Sequence, residues 1–153
     1  MNPIHLPIRH VRQRNPGECL AACAKMALDF LGVSVTYDHL VKLLKIESFG
    51  AVFSKVRELE QIGVQVIYKR GTLEELHEHV SNNRPCIALV WTGELPYWQS
   101  ATFHAVVVAG LDDQSVYLND PDFPDAPIQV SHGDFGLAWL ERDELYAALT
   151  KRG

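Results

Sequence analysis

Gln13-Arg14-Asn15-Pro16-Gly17-Glu18-Cys19-Leu20-Ala21-Ala22-Cys23 opens the stretch that decides the fold. Asn15-Pro16-Gly17 is a turn signal, because proline presets φ and glycine accepts the positive φ of a tight turn. Directly after it, Leu20, Cys23, Ala24, Ala27, Phe30 and Leu31 recur at three- and four-residue intervals. That spacing predicts an amphipathic helix over residues 18–31, ended by Gly32. Cys19 therefore falls at a turn-to-helix junction, where the first unpaired backbone N–H groups favour negative charge. A free thiol, with a pKa of about 8.5, is only ~3% ionised at neutral pH, so such a location bears on reactivity.

Working outward, Thr36 caps a second helix through residue 46, with Tyr37, Leu40, Val41 and Leu44 as its inner stripe. A third helix is predicted over 51–61, ending at Gly63. The period then changes. Residues 64–69 form a β-branched run, 72–80 a short capped helix, and 85–91 an apolar strand. Residues 103–110 and 115–119 read as two strands joined by the turn Leu111-Asp112-Asp113-Gln114. A strand at 128–130, a short helix around 131–139 and a last strand at 145–150 complete the chain. Helices first and strands later predict an α+β fold, with a helical lobe over about 13–62 and a mainly antiparallel sheet lobe over about 63–153. The cleft between the lobes would carry Cys19 on one wall and His104 on the other.

Composition fits this and excludes several classes. A chain of 153 residues with 47% hydrophobic content suits a single globular domain with a real core. The net charge of -5, with no Lys/Arg stripe, argues against nucleic-acid binding. It also hints at a basic or neutral substrate. The longest apolar runs, at 86–91 and 105–111, fall far short of the ~20 residues of a membrane span. Three cysteines make a disulfide scaffold unexpected and favour a reducing compartment. Residues 1–10 lack the apolar core of a signal peptide, so a cytoplasmic location is expected. The oligomeric state is left open.

The chemistry-bearing residues follow. Cys19 is the candidate nucleophile, whereas Cys23, one turn further on, and Cys86, inside an apolar strand, read as core. A zinc site from Cys19 and Cys23 lacks the paired CxxC spacing. His77 and His79 lie two apart on a helix and point to different faces, which argues against a metal there. Of the seven histidines, His5, His10, His39 and His132 show no evident partner in the sequence. His104 does, because the strand pair that follows brings Asp120 back beside it. Asp120 precedes Pro121, which ends the strand and leaves the carboxylate at its tip. There it either orients an imidazole or makes an Asx turn. Gln13, six residues before Cys19, is either a solvated loop residue or a side-chain amide aimed at a developing oxyanion. The aromatics in residues 93–102 either rim the cleft or pack in the core, and the Pro- and Asp-rich segment 122–127 would shape another edge.

The segment from Gln13 to Cys23 resembles the nucleophile segment of the bacteriocin-processing, double-glycine leader peptidases of the papain-like clan. His104-Ala105-Val106-Val107-Val108-Ala109-Gly110 and Val116-Tyr117-Leu118-Asn119-Asp120-Pro121 are similar to that family's His strand and Asp-Pro strand. The resemblance implies a papain-like fold, with Gln13 as oxyanion donor, Cys19 as nucleophile, His104 as base and acid, and Asp120 as orienter. No cofactor and no metal are expected, and a peptide or protein substrate is expected to lie extended in the cleft. Leu20 stands where the family usually has Gly, and a larger side chain there is expected either to narrow the cleft or to shift which substrate backbone fits, while leaving the Cys19 N–H intact. Family members are often joined to transporter spans and an ATPase; this chain is expected to be a stand-alone member. Hydrolysis through a thioester is the expected activity. Acyl or peptidyl transfer at the same site, and a non-catalytic peptide-binding module, are the alternatives.

Overall fold

The turn at Asn15-Pro16-Gly17 leads into helix α1 (Cys19–Phe30), in which Leu20, Ala21, Ala22, Cys23, Ala24, Met26, Ala27 and Leu28 are all buried. The structure is a computed structural model and describes residues Met1–Gly153. So many small side chains bury α1 nearly all round rather than on the single stripe expected, with Phe30 and Leu31 only half-buried. Gly32, at φ +75°, ends it: Gly32 N–H donates to Asp29 O at 3.1 Å and Val33 N–H to Leu28 O at 2.9 Å.

Helix α2 (Tyr37–Leu43) has the expected Thr36 cap, whose hydroxyl accepts from His39 N–H at 3.1 Å. It stops three residues short of the expected end. Lys45 turns left-handed at φ 53°, and the Ile46 N–H reaches back to Val41 O at 3.0 Å. The third predicted helix is instead a 3-10 helix, Phe53–Ile62, ended by Gly63 at φ 92°. Its buried residues Phe53, Val56 and Leu59 are spaced by three, the period of the tighter winding, and that spacing selects it over the α form.

Strands β1 (Ile4–His5), β2 (Val64–Arg70), β3 (Cys86–Trp91), β4 (Phe103–Leu111), β5 (Ser115–Asn119), β6 (Ile128–Ser131) and β7 (Leu145–Lys151) form one sheet in the order β2-β7-β3-β4-β5-β6, with β1 added to β4. Every pairing is antiparallel. Helices α3 (Leu73–Ser81) and α4 (His132–Leu140) carry side-chain caps from Thr72 and Ser131 and pack, like α1, against the middle of the sheet. The architecture is α+β. Residues of β3 and β4 are buried on both faces, which explains their continuous apolar runs.

Strand β1 has no counterpart in the sequence reading. It pairs Ile4 with Leu111 and His5 with Gly110, taking up the edge of β4 where β3 ends at the Cys86–Val108 pair. From there the N-terminal segment is laced along the sheet. Leu6 N–H donates to Ala109 O at 2.8 Å, Asn119 Nδ2 to Ile8 O at 2.9 Å, and Gln13 N–H to Pro121 O at 2.9 Å. The segment that leads to Cys19 is thereby fixed to the strand end that carries Asp120. No helix is long and apolar enough to cross a membrane.

Candidate active site

Cys19 is the first residue of α1, and Glu18 holds the N-cap position without capping the helix through its side chain. Its carboxylate buckles the preceding loop instead. Glu18 Oε1 accepts from Asn15 N–H at 3.2 Å and from the Tyr37 hydroxyl at 2.8 Å, and Oε2 accepts from Asn15 Nδ2 at 3.1 Å. Gly17 takes φ +84°, and a Cβ there would stand 2.8 Å from Gly50 N. The loop at Glu47–Gly50, closed by a two-residue bridge, thus rests directly on the turn before the sulfur.

The structure brings His104 and Asp120 together. His104 Nε2 donates to Asp120 Oδ1 at 2.7 Å, with the imidazole 5% exposed and the carboxylate 0% exposed. Three further donors serve that carboxylate: the Tyr97 hydroxyl to Oδ2 at 2.7 Å, Trp98 Nε1 to Oδ2 at 3.0 Å, and Asp122 N–H to Oδ1 at 2.9 Å. The last is an Asx turn, so the two alternatives for Asp120 coexist on one side chain. His10 Nε2 bonds the Asp120 carbonyl oxygen at 2.7 Å, which corrects the expectation that His10 has no partner. His132 also has one, at Asp112 O.

Burial by itself lowers the pKa of His104 by disfavouring its charge. The Asp120 bond, then hydrogen bonding and charge from Cys19, outweigh that and raise it to about 9. For Asp120, burial pushes upward, but the His104 bond, the His104 charge and the Tyr97 bond hold the carboxyl below 3.8. Both shifts describe an imidazolium facing a carboxylate at neutral pH. Since Nε2 is used by Asp120, Nδ1 is the ring nitrogen left for the sulfur. Cys23 and Cys86 are fully buried, and burial pushes both thiols well up.

Cys19, His104 and Gln13 all line one cleft of about 1080 Å³, which draws its walls from residues 12–17, from residues 49–53 and from the sheet side. Gln13 spends one Nε2 hydrogen on Asn15 O at 3.3 Å, and its Oε1 is a buried acceptor with no donor in the protein. Leu20 is 3% exposed and turned into the core, not into the cleft, so the expected narrowing does not occur. Trp98 settles the question about the aromatics by doing both jobs. It lines the cleft, stands edge-on to His104 at 4.9 Å, and bonds Asp120.

Tyr97, Trp98 and His10 are the site residues that sequence reasoning missed as partners of Asp120. The local signal was a hydroxyl and an indole N–H shortly before His104. Buried Tyr and Trp need a polar partner, and a buried carboxylate needs donors.

The model of the peptidase C39 family matches residues 8–142. Solved structures with the same fold include a C39-like peptidase from Bacillus anthracis, at TM-score 0.83 and 16% identity over 100% of both chains. A double-glycine-motif protease from an AMS/PCAT transporter, in complex with its leader peptide, gives TM-score 0.74 at 18% identity over 99% of both chains. A cysteine protease of Carica candamarcensis, in complex with E-64, gives 0.72 at 12% over 100% of both. These likenesses show a papain-like fold. Among curated proteins, none matches the chain in sequence.

Proposed function

The chain belongs to the peptidase C39 family and is a cysteine peptidase, and from that premise we propose that it cleaves a peptide or related amide bond through a thioester on Cys19. The observation that carries this is the buried Asp120–His104 pair, whose imidazole is raised to about 9 by Asp120 and by Cys19 at the head of α1. An imidazolium and a helix N-terminus both favour a charged sulfur.

In the proposed reaction the Cys19 sulfur attacks the carbonyl carbon, forming a C–S bond while the carbonyl electrons move to oxygen. Gln13 Nε2 and the Cys19 N–H donate to that oxyanion. His104 gives its proton to the nitrogen, the C–N bond breaks, and the amine leaves. Water then attacks the thioester carbon as His104 takes a proton from it. The C–S bond breaks, and the carboxylic acid and the free site are restored. Asp120 keeps the imidazole oriented throughout. A peptide lying extended in the cleft is the proposed substrate; a protein of this fold has been crystallised with a leader peptide.

The test is thiol labelling followed by turnover. Iodoacetamide at about pH 6 is expected to modify Cys19 well ahead of Cys23 and Cys86, and His104→Ala to slow that step. The intact protein should cleave members of an internally quenched peptide library, and Cys19→Ala should cleave none. Slow, equal labelling of all three thiols would defeat the proposal, as would cleavage that survives Cys19→Ala.

A further inference from the structure

The chain carries 19 acidic against 14 basic side chains, yet the cleft is lined by Arg12, Arg14 and Arg142 against the single carboxylate Asp122. Local charge at the cleft is therefore opposite to that of the molecule, and it points away from the basic or neutral substrate that composition hints at. Of the three guanidinium groups, Arg14 is engaged: it pairs with Asp38 at 3.0 Å and lies over the Tyr37 ring. Arg142 is not. It forms no ion pair, its side-chain N–H groups donate to nothing in the protein, and it is half-buried. Glu141, Asp143 and Glu144 flank it in sequence without pairing to it.

Arg142 is nevertheless held in place. Its backbone N–H donates to Trp139 O at 2.9 Å beyond the end of α4, and Asp143 and Glu144 both turn left-handed, at φ 60° and 56°. Its guanidinium stacks on the Phe103 ring, 3.8 Å from the centroid, and Phe103 directly precedes His104. Stacking fixes the plane of the fork while leaving its N–H edges open, the arrangement that suits two-point binding of a carboxylate. Around it the same cleft exposes apolar side chains: Phe103 at 57%, Val52 at 67% and Phe49 at 87%. Apolar surface gathered in a cleft marks a place that a ligand covers.

We propose that the cleft selects substrate peptides bearing a carboxylate among apolar side chains, and that Arg142, stacked on Phe103 beside His104, is the residue that reads the carboxylate. This rests on the peptidase reading of Cys19. Aspartate or glutamate upstream of the scissile bond then binds Arg142, while flanking apolar side chains cover Phe49 and Val52. Arg12, which also lines the cleft and forms no ion pair, adds to its positive field.

The experiment uses tetrapeptidyl acyloxymethyl ketones that alkylate an active-site thiol. Glu, Gln or Lys is scanned through the positions upstream of the reactive ketone, on a Leu/Ala background. The readout is the second-order rate of Cys19 modification, followed by intact mass. At the best position the Glu probe is expected to outpace the Lys probe by at least about tenfold at low salt, with the ratio shrinking as salt is added. In Arg142→Gln the ratio should fall close to one, and in Arg142→Glu it should invert. Ratios are compared within each protein, so a general loss of reactivity cancels, and Arg142→Gln serves if the charge reversal does not fold.

Equal rates for Glu and Lys in the parent, or Lys ahead, overturn the inference while Cys19 modification leaves the peptidase reading standing. A Glu preference that persists in both variants overturns the role of Arg142. Failure of every probe to modify Cys19 removes the peptidase reading, and this inference with it.

Discussion

The Tyr97 hydroxyl donates at 2.7 Å to Oδ2 of Asp120, the carboxylate oxygen that His104 does not use. A fully buried carboxylate needs donors on both oxygens, and Tyr97→Phe leaves Oδ2 with Trp98 alone. We expect a loss of about 1–3 kcal/mol in stability near neutral pH. The sign with pH follows from the direction of the Asp120 shift. Burial pushes its pKa up, but the His104 and Tyr97 contacts hold it below 3.8, so its stabilisation is present above that value and disappears as pH falls through the lower folded one. Tyr97→Phe raises the folded value. Melting temperatures at about pH 7 and pH 3 should therefore show a deficit that narrows in acid. A deficit of constant size would assign Tyr97 to packing against Phe123 instead.

His104 shifts the other way and sets the alkaline side. Burial lowers its pKa, but the Asp120 bond and Cys19 lift it from 6.5 to about 9. A raised group stabilises the fold fully below 6.5 and ceases to do so as pH rises through its folded value. Because the proposed reaction needs the protonated ring to expel the amine, kcat/KM should decline with a midpoint near 9. Asp120→Asn removes the anion and should draw that midpoint down towards 6.5, with a drop in kcat of about a hundredfold or more. A pH–rate profile of both proteins is the measurement, and an unmoved alkaline limb would count against the pairing as the source of the shift.

The sequence was most legible where chemistry and period coincide. The start of α1 after its turn, its stop at Gly32, the Thr36 and Thr72 caps and the β4–β5 hairpin all announce themselves locally, and the hairpin alone is enough to bring Asp120 back to His104. Strand β1 was illegible because two residues carry no period; its place is decided by the free edge of β4. His10 lies 110 residues from the carbonyl it bonds, so no local pattern could pair them. The helix predicted at 51–61 failed on the difference between a period of 3.6 and one of 3.0, which ten residues barely separate. Arg142 was hidden among Glu141, Asp143 and Glu144, where an unpaired guanidinium looks like ordinary surface charge.

Gly17 and Gly50 offer a paired test of how the turn supports Cys19. Both have positive φ, at +84° and +115°, so an alanine at either position bears the left-handed penalty of about 1–2 kcal/mol. They differ in space. A Cβ on Gly17 meets Gly50 N at 2.8 Å and Ser48 O at 3.0 Å, whereas one on Gly50 finds only Gly17 O at 3.8 Å. Gly17→Ala should therefore destabilise more than Gly50→Ala and also slow iodoacetamide labelling of Cys19, because the loop must lift off the turn. Thermal melts and labelling rates of the two variants decide it. Equal effects would show that the close approach does not matter.

Gln13 is tied at its backbone to Pro121 and at its side chain to Asn15, so its amide stands in the cleft with little freedom. One Nε2 hydrogen is left unbonded within the protein, and the proposed reaction assigns it, with the Cys19 N–H, to the oxyanion. If that donor serves the transition state, Gln13→Ala should lower kcat by about 10²–10³ and leave KM nearly unchanged, since the charge it meets develops only as the bond forms. Gln13→Glu should fall at least as far, because it adds an anion where another must form. Labelling of Cys19 by iodoacetamide passes through no tetrahedral oxyanion and provides the contrast. It should keep close to its parent rate in Gln13→Ala while amide turnover collapses. A parallel loss of both would mean that Gln13 only braces the loop before the helix.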